Sequence, residues 1–332
     1  MKLIDKYNRI HNYLRLSVTG RCNLNCVYCN PVSTGDSSNN YNVILSNREI
    51  TGLVILFLDH FEFNKIRLTG GEPFARKNII ELFEDLSLLK KKYSFQLSVT
   101  TNGTLLNGNL KNLKELGLDR INFSLDSLIA DKYEQITGKN QLKKVLDTID
   151  EAEQIGFEKI KINTVIIRNV NDDEIDDFVE YSIQTGINIR FIEYMPFSNN
   201  GYDKDGFISS DELMKNIYKS YILFPVNKTD GLIAKDYRIK DTKAIISFIS
   251  PISEHFCGLC NRLRITSDGK LKLCLFSPHK TEVDLLELLR KDYSDEQISG
   301  AIRNALLEKD YAHPEMEDLI ELKNNNIISL GG

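Results

Sequence analysis

Six short β-rich runs alternate with segments of helical period through the first two thirds of this chain. The runs are YLRLSV (13–18), KIRLTG (65–70), FQLSVT (95–100), RINFSL (120–125), KIKINTVII (159–167) and NIRFIEY (188–194). The clearest helical segment between them is QLKKVLDTIDEAEQIG. There Leu142, Val145, Leu146, Ile149, Ala152 and Ile155 recur at three- and four-residue steps and Gly156 follows as a cap. NDDEIDDFVEYSIQTG repeats the device, with acids in its first turn and Gly186 at its end. Strand–helix units in series imply a parallel sheet with helices outside. Six units fall short of the eight of a closed barrel, so the expected fold is α/β, a partial (β/α)6 TIM-like barrel. The polar run SNNGYDKDG (198–206) marks a boundary, giving a barrel over 1–205 and a smaller C-terminal α+β domain over 206–332 that closes it.

The residues just after the strands are unusual: TGRCNLNC, TGGEP, TTNG, SLDS and EYMP. Barrels of this kind gather their chemistry at the C-terminal strand ends. A net charge of −5 argues against a chain-wide attraction to nucleic acid or anionic membrane, yet is compatible with a local basic pocket for one polyanionic small molecule. The longest apolar run, LVILFL at 53–58, is too short to cross a bilayer, and MKLIDKYNRIHNYLRL has no apolar signal core. A cytoplasmic setting is therefore expected, where six cysteines point to metal or catalysis rather than to disulfides.

Three of them, Cys22, Cys26 and Cys29, fall within RCNLNCVYCN with the spacing C-x-x-x-C-x-x-C. Thiolates in one tight loop suit zinc or an iron–sulfur cluster. Zinc wants a fourth ligand, and the only histidine within twenty residues is His11, on the far side of the first strand. A 4Fe-4S cluster held by three cysteines leaves one iron open to the amino and carboxylate groups of S-adenosylmethionine. Electron transfer then cleaves the sulfonium to a 5′-deoxyadenosyl radical, chemistry that belongs to the cofactor and that the protein positions.

A second triplet, Cys257, Cys260 and Cys274, lies in HFCGLCNRLRITSDGKLKLCLF. RLRIT and KLKLCLF read as a hairpin. A two-residue turn would mix apolar and charged faces. A three-residue loop, Ser267-Asp268-Gly269 with Gly269 left-handed, sets Ile265 against Leu271 and Leu263 against Leu273. Arg262, Arg264, Lys272 and Cys274 then share the other face, and two guanidiniums beside a metal-bound cysteine can grip phosphate oxygens bidentately. Zinc, with His255 or His279 as fourth ligand, is the competing reading of this block.

The first cysteine spacing with Tyr28 before its last member, followed by TGGEP, resembles the radical S-adenosylmethionine superfamily. Arg-x-Ser at the first strand, TGGEP, EYMP, the FCGLCNRLRITSDGKLKLC block and the final Gly331-Gly332 together resemble the GTP 3′,8-cyclases of molybdenum cofactor biosynthesis, over nearly the whole chain. The resemblance implies two 4Fe-4S clusters. Cys22, Cys26 and Cys29 would hold one with S-adenosylmethionine, and Cys257, Cys260 and Cys274 one in the C-terminal domain that meets the guanine. It also implies S-adenosylmethionine contacts from Tyr28, Gly71, Ser124 and Met195, and GTP contacts from Arg15, Arg67, Thr100, Lys161, Arg262 and Arg264. Catalytic roles would fall to Arg15, Arg262, Arg264, Gly331 and Gly332. Two departures stand out: Asn30 occupies a position that is often Met, and the stretch after EYMP is polar.

Arg15, Arg67 and Lys161 sit inside predicted strands, where charges are costly unless paired. Pointing into one cavity they ask for an anion; taken singly, each reads equally as a salt bridge. Thr101 competes with Thr100 as the contact, and Gly331-Gly332 alone could be a frayed end. The expected reaction is cyclisation of GTP to 3′,8-cyclo-7,8-dihydro-GTP by abstraction of the ribose C3′ hydrogen. Its partners would be an electron donor, a downstream enzyme taking the cyclic product and, in a homodimer, a second copy. The rivals are a peptide-modifying radical enzyme with an auxiliary cluster, and a non-enzymatic zinc protein.

Overall fold

The computed structural model describes residues 1–29, 44–106, 108–197, 200–226, 233–254, 256–276, 282–321 and 327. A two-stranded ladder, β1 (Leu3–Ile4) and β2 (Ile10–His11), precedes the six barrel strands. These are β3 (Tyr13–Ser17), β4 (Lys65–Thr69), β5 (Gln96–Thr101), β6 (Arg120–Ser124), β7 (Ile160–Ile166) and β8 (Asn188–Glu193). Each matches an expected run to within one residue at either end. Between and after them lie α1 (Asn47–Phe61), α2 (Ile79–Lys90), α3 (Leu110–Glu115), α4 (Ala130–Thr137), α5 (Leu142–Gln154) and α6 (Ile175–Thr185). Helix α5 covers the periodic segment. Gly156 and Gly186 follow α5 and α6 with φ of +84° and +72°, a left-handed turn that glycine enters without a Cβ clash. Ser46 opens α1 by accepting from the Glu49 amide while the Glu49 side chain returns to the Ser46 amide, a reciprocal cap that fixes where the helix begins.

The strands owe their placement to strict alternation. Leu14 and Leu16, Ile66 and Leu68, Leu97 and Val99, Ile121 and Phe123 are all fully buried beneath the helices, each worth roughly 1.5–3 kcal/mol against exposure. The intervening residues (Tyr13, Arg15, Lys65, Arg67, Gln96, Thr100, Arg120, Asn122) face the opposite side, where they line a cavity.

The remaining elements are α7 (Ser210–Ile217), β9 (Leu223–Pro225), β10 (Lys235–Ile239), β11 (Ile245–Ile249), β12 (Arg262–Ile265), β13 (Lys270–Lys272), β14 (Val283–Asp284), α8 (Leu285–Arg290), α9 (Asp295–Leu307) and α10 (Met316–Glu321). Their strands extend the barrel sheet at both edges. The order is β14-β13-β12-β3-β4-β5-β6-β7-β8-β11-β10-β9, with β12 parallel to β3 and β11 parallel to β8. Among the described residues the sheet has two distinct ends, which makes this an open, partial barrel. Among the described residues no helix is long and apolar enough to cross a membrane.

The hairpin register is the one that burial of the apolar face demands. Ile265 pairs with Leu271 and Arg264 with Lys272, and Gly269 has φ +84°. Ile265, Leu263, Leu271 and Leu273 are buried at 3% exposure or less, so a one-residue slip would turn Leu263 and Ile265 onto the charged face.

Candidate active site

The first cysteine loop sits at the C-terminal ends of β3, β4 and β5, held there by backbone and buried polar groups. The Gly71 amide donates to Thr19 O at 2.8 Å and the Glu72 amide to Arg21 O at 2.8 Å. A Cβ on Gly71 would stand 2.5 Å from Arg21 O and 3.0 Å from the Cys22 amide nitrogen, so this position must be glycine for the two turns to meet. The family resemblance implies a cofactor contact at Gly71; the structure shows that its missing side chain makes room for the cysteine loop. Glu72, 1% exposed, accepts from Thr101 Oγ1 and the Asn102 amide, both at 2.7 Å. Burial pushes its carboxyl up to about 7. Asn102 in turn donates to Asn23 Oδ1 at 3.1 Å and lies 3.9 Å from Cys22 Sγ. On the other side the amides of Asn25 and Val27 are held by carbonyls of Thr137 and Ile136 at the end of α4.

Burial raises the thiols of Cys22, Cys26 and Cys29, the last to about 12. The charges of Asp126 and of neighbouring cysteines add to this at Cys26 and Cys29, and that of Glu72 at Cys22. Cys22 is exposed and Cys26 and Cys29 are partly buried; three thiols that resist ionising are a donor set that needs a cationic centre to carry them as thiolates. They fit a soft metal cluster in that respect. Tyr28, between the last two, donates to Asp126 Oδ2 at 2.6 Å, and Asp126 Oδ1 accepts from the Val165 amide at 2.8 Å. Burial raises the Asp126 carboxyl to about 6.

Below this loop opens a cavity of about 690 Å³ enclosed by the barrel strands and the C-terminal segment. Of the residues singled out from sequence, Arg15, Tyr28, Arg67, Thr100, Ser124, Met195, Cys257, Cys260, Arg262, Arg264 and Cys274 line it. Gly71, Cys22, Cys26 and Cys29 are not among its described lining residues. Lys161 faces inward by strand alternation but is not among the lining residues, standing two residues below Asn163, which is. Thr100 points into the cavity and accepts from Arg67 Nη1 at 3.1 Å, whereas Thr101 points at Glu72. His255, His279, Asn30, Gly331 and Gly332 lie outside the described residues.

The cavity floor is cationic. Arg264, Arg15 and Arg67 stand in register on β12, β3 and β4, and Arg262, Tyr13 and Lys65 form the next rung. Arg120 and Arg190 complete the wall; sequence reasoning missed both. Burial and then the neighbouring Arg264 charge hold Arg15 well below the ordinary guanidinium range. Burial and Arg262 bring Arg264 to about 10, and burial and Arg67 bring Arg190 to about 10. Burial raises the Tyr13 phenol, but Arg67, Arg15 and Arg262 outweigh it and lower the group to about 8. Asp126 is the one carboxylate among the described lining residues. Like charges directly opposite one another destabilise a sheet, and a bound polyanion would offset that on this floor.

Cys257, Cys260 and Cys274 line both the large cavity and a small pocket of about 30 Å³ behind it. Burial raises Cys257. Burial also acts to raise Cys260, but the Lys309 and Arg262 charges bring it down to about 7. Among the described residues no group of three His, Cys, Asp or Glu is arranged to hold a single metal ion; thiol donors are the chemistry a soft iron–sulfur centre takes. Both ring nitrogens of nearby His313 face backbone carbonyls, of Pro314 and Pro251, at 2.7 Å. Phe197 and Phe276 stack at 5.4 Å, and with Leu319 and Ile327 form a small apolar cluster against which Cys29, Met195 and Cys274 pack, joining the two thiol sites. Glu193 of EYMP is fully buried and accepts from the amides of Ser210, Ile252 and Ser253, which ties the C-terminal segment to the end of β8.

Comparison with known proteins accords with this arrangement. Residues 16–182 match the Radical SAM superfamily, and 187–315 match Molybdenum Cofactor Synthesis C. The mitochondrial GTP 3′,8-cyclase of Arabidopsis thaliana is 42% identical over 99% of this chain and 83% of its own length. The GTP 3′,8-cyclase of Alkaliphilus oremlandii is 39% identical over 99% of both. Among solved structures, Streptococcus suis SuiB bound to S-adenosylmethionine shares the fold with a TM-score of 0.62 at 16% identity, over 97% of this chain and 77% of that one. The chain belongs to the radical S-adenosylmethionine superfamily and, within it, to the GTP 3′,8-cyclase family.

Proposed function

We propose that this protein converts GTP to 3′,8-cyclo-7,8-dihydro-GTP, the first step of molybdenum cofactor biosynthesis. The observation that carries the reading is the double rung of Arg264–Arg15–Arg67 and Arg262–Tyr13–Lys65 on the floor of one enclosed cavity. A triphosphate would bring several negative charges to this row of cations, and guanidiniums grip its oxygens bidentately.

Cys22, Cys26 and Cys29 hold a 4Fe-4S cluster with S-adenosylmethionine in this reading, with Tyr28, Gly71, Ser124 and Met195 around the cofactor. When bound, that group supplies a 5′-deoxyadenosyl radical whose capture of the ribose C3′ hydrogen lets C3′ bond to C8 of guanine. Arg15, Arg67, Thr100, Lys161, Arg262 and Arg264 are the GTP contacts, joined by Arg190 and Lys65 on the same floor. They fix the nucleotide so that the ribose faces the first thiol site and the base faces Cys257, Cys260 and Cys274, which carry a second cluster. Holding C3′ and C8 in reach of one another is the protein's main contribution to rate. The apolar cluster of Phe197, Phe276, Leu319 and Ile327 excludes water between the two thiol sites. Gly331 and Gly332 support catalysis in this reading. The reaction requires an electron donor and an enzyme that takes the cyclic product, and the working form is a homodimer.

The test is anaerobic. The protein reconstituted with iron and sulfide is given S-adenosylmethionine and a strong reductant, and 5′-deoxyadenosine is measured with GTP, with ATP and with neither. Release that rises with GTP alone, matched by loss of GTP to an isomer, supports the proposal. Release indifferent to GTP contradicts it and moves the substrate elsewhere, with a peptide next in line.

A further inference from the structure

Lys309 follows α9 and is 4% exposed. Its Nζ donates to the carbonyls of Leu273 and, at 3.3 Å, Arg262. Leu273 immediately precedes Cys274, and Arg262 lies two residues after Cys260, so one ammonium ties together the two halves of the second thiol site. Among the described residues no carboxylate pairs with it. A buried ammonium with only carbonyls for company is unfavourable unless an anion stands close by. The candidates are Cys260 and Cys274, the anionic neighbours whose charge acts on Lys309; burial holds the lysine below its ordinary range and the two thiols pull it back up. Lys309 also lines the small pocket behind all three cysteines.

A second cation, Arg9, reaches the same pocket. Its Nη1 donates to Cys257 O at 2.8 Å and to Tyr311 O at 2.7 Å. Its charge is already matched, because Nε bonds Asp5 Oδ2 at 2.5 Å in a buried pair. His11, on the same carboxylate at 3.0 Å, is held neutral, burial first and then Lys309 lowering it to about 4. Arg262 and Arg264, on the other side of the thiols, face the main cavity, where an anionic substrate answers them. Arg262 also acts on Cys260, through its charge and a side-chain bond, but Lys309 is the cation with no carboxylate partner among the described residues that lines the small pocket and is not among the described lining residues of the main cavity.

We infer that Lys309 is the buried counter-charge of the Cys257–Cys260–Cys274 cluster site and sets its reduction potential. The inference rests on the reading of this triplet as a cluster site. A cluster on three thiolates gains one negative charge on reduction. A fixed cation in a water-poor site favours the reduced form more than the oxidised one, so Lys309 holds the potential up. It is a positioning residue that acts through the thiolates, not on the substrate.

The test uses the full chain carrying Cys22→Ser, Cys26→Ser and Cys29→Ser, so that only the second site reports. Iron and sulfide per chain are measured first, and then the midpoint potential by redox titration followed by electron paramagnetic resonance. Lys309→Met removes the charge at similar volume, and Lys309→Arg keeps it. The expected result is a midpoint shifted to more negative potential in K309M and left near the parent value in K309R. Loss of iron from K309M alone also supports the inference. Equal midpoints in parent and K309M overturn it, as does loss of iron from both variants, which would assign Lys309 to packing. A parent chain that takes up no cluster removes the reading beneath the inference, an outcome visible before Lys309 is altered.

Discussion

Arg264 of β12 stands in register beside Arg15 of β3, across a parallel ladder that joins opposite ends of the chain. Arg15 pairs in turn with Arg67 of β4. Three neighbouring guanidiniums on one rung repel one another, and a bound polyanion would relieve that repulsion. Replacing Arg15 or Arg264 with Ala removes charge-assisted bonds worth about 1.5–3 kcal/mol each, which is roughly a ten- to hundredfold loss in GTP affinity. Titration calorimetry on the anaerobically reconstituted protein measures it. Iron content stays at the value of the unaltered protein, because neither residue is a proposed ligand. Stabilisation by saturating GTP, read as a rise in melting temperature, shrinks in the same variants.

Gly71→Ala separates the two thiol sites. The added methyl meets Arg21 O at 2.5 Å and the Cys22 nitrogen at 3.0 Å, both backbone atoms that cannot swing aside. The cysteine loop shifts, and the first site loses iron while the second keeps it. Iron per chain falling to about half of wild type, with the signal of the Cys257–Cys260–Cys274 site retained, is the expected result; full iron content contradicts it.

The acid limb of stability is set in part by His11. Its folded value of about 4 lies below the ordinary 6.5, because burial disfavours the imidazolium. The unfolded chain therefore binds the extra proton more readily. The resulting stabilisation is complete above pH 6.5 and is lost progressively as pH falls towards 4, amounting to about 3 kcal/mol at 1.36 kcal/mol per pKa unit. Asp5, held near 2 although burial opposes it, because His11 and Arg9 favour its anion, adds a further loss below its ordinary 3.8. Urea unfolding followed from pH 7 to pH 4 should fall steeply in the wild type. It should fall less steeply in His11→Gln, which cannot take up the proton.

Much of this was legible in the sequence because two periodicities do not overlap. The six barrel strands announced themselves by alternation, and α5 by its apolar stripe. The Ile265–Leu271 register could be read because only one slip state buries Leu263, Ile265, Leu271 and Leu273 together. What alternation cannot tell is which edge of a sheet a strand joins, so the placement of β11 beside β8 and of β12 beside β3 emerged only in three dimensions. Arg190 had a usable signal: it is an interior charge in NIRFIEY, the same mark that picked out Arg15 and Arg67. Lys309 had none, since a lysine past the end of a helix reads as solvated until the fold closes over it. Lys161 shows the limit of the rule in the other direction, facing inward by period but set below the described lining of the cavity.

The most direct measurement follows one hydrogen. GTP carrying deuterium at the ribose C3′ is incubated with reconstituted protein, S-adenosylmethionine and reductant, and the 5′-deoxyadenosine formed is analysed by mass. The account predicts that deuterium from C3′ appears in the 5′-deoxyadenosine in step with loss of GTP. Unlabelled 5′-deoxyadenosine formed while the GTP is left intact would contradict it.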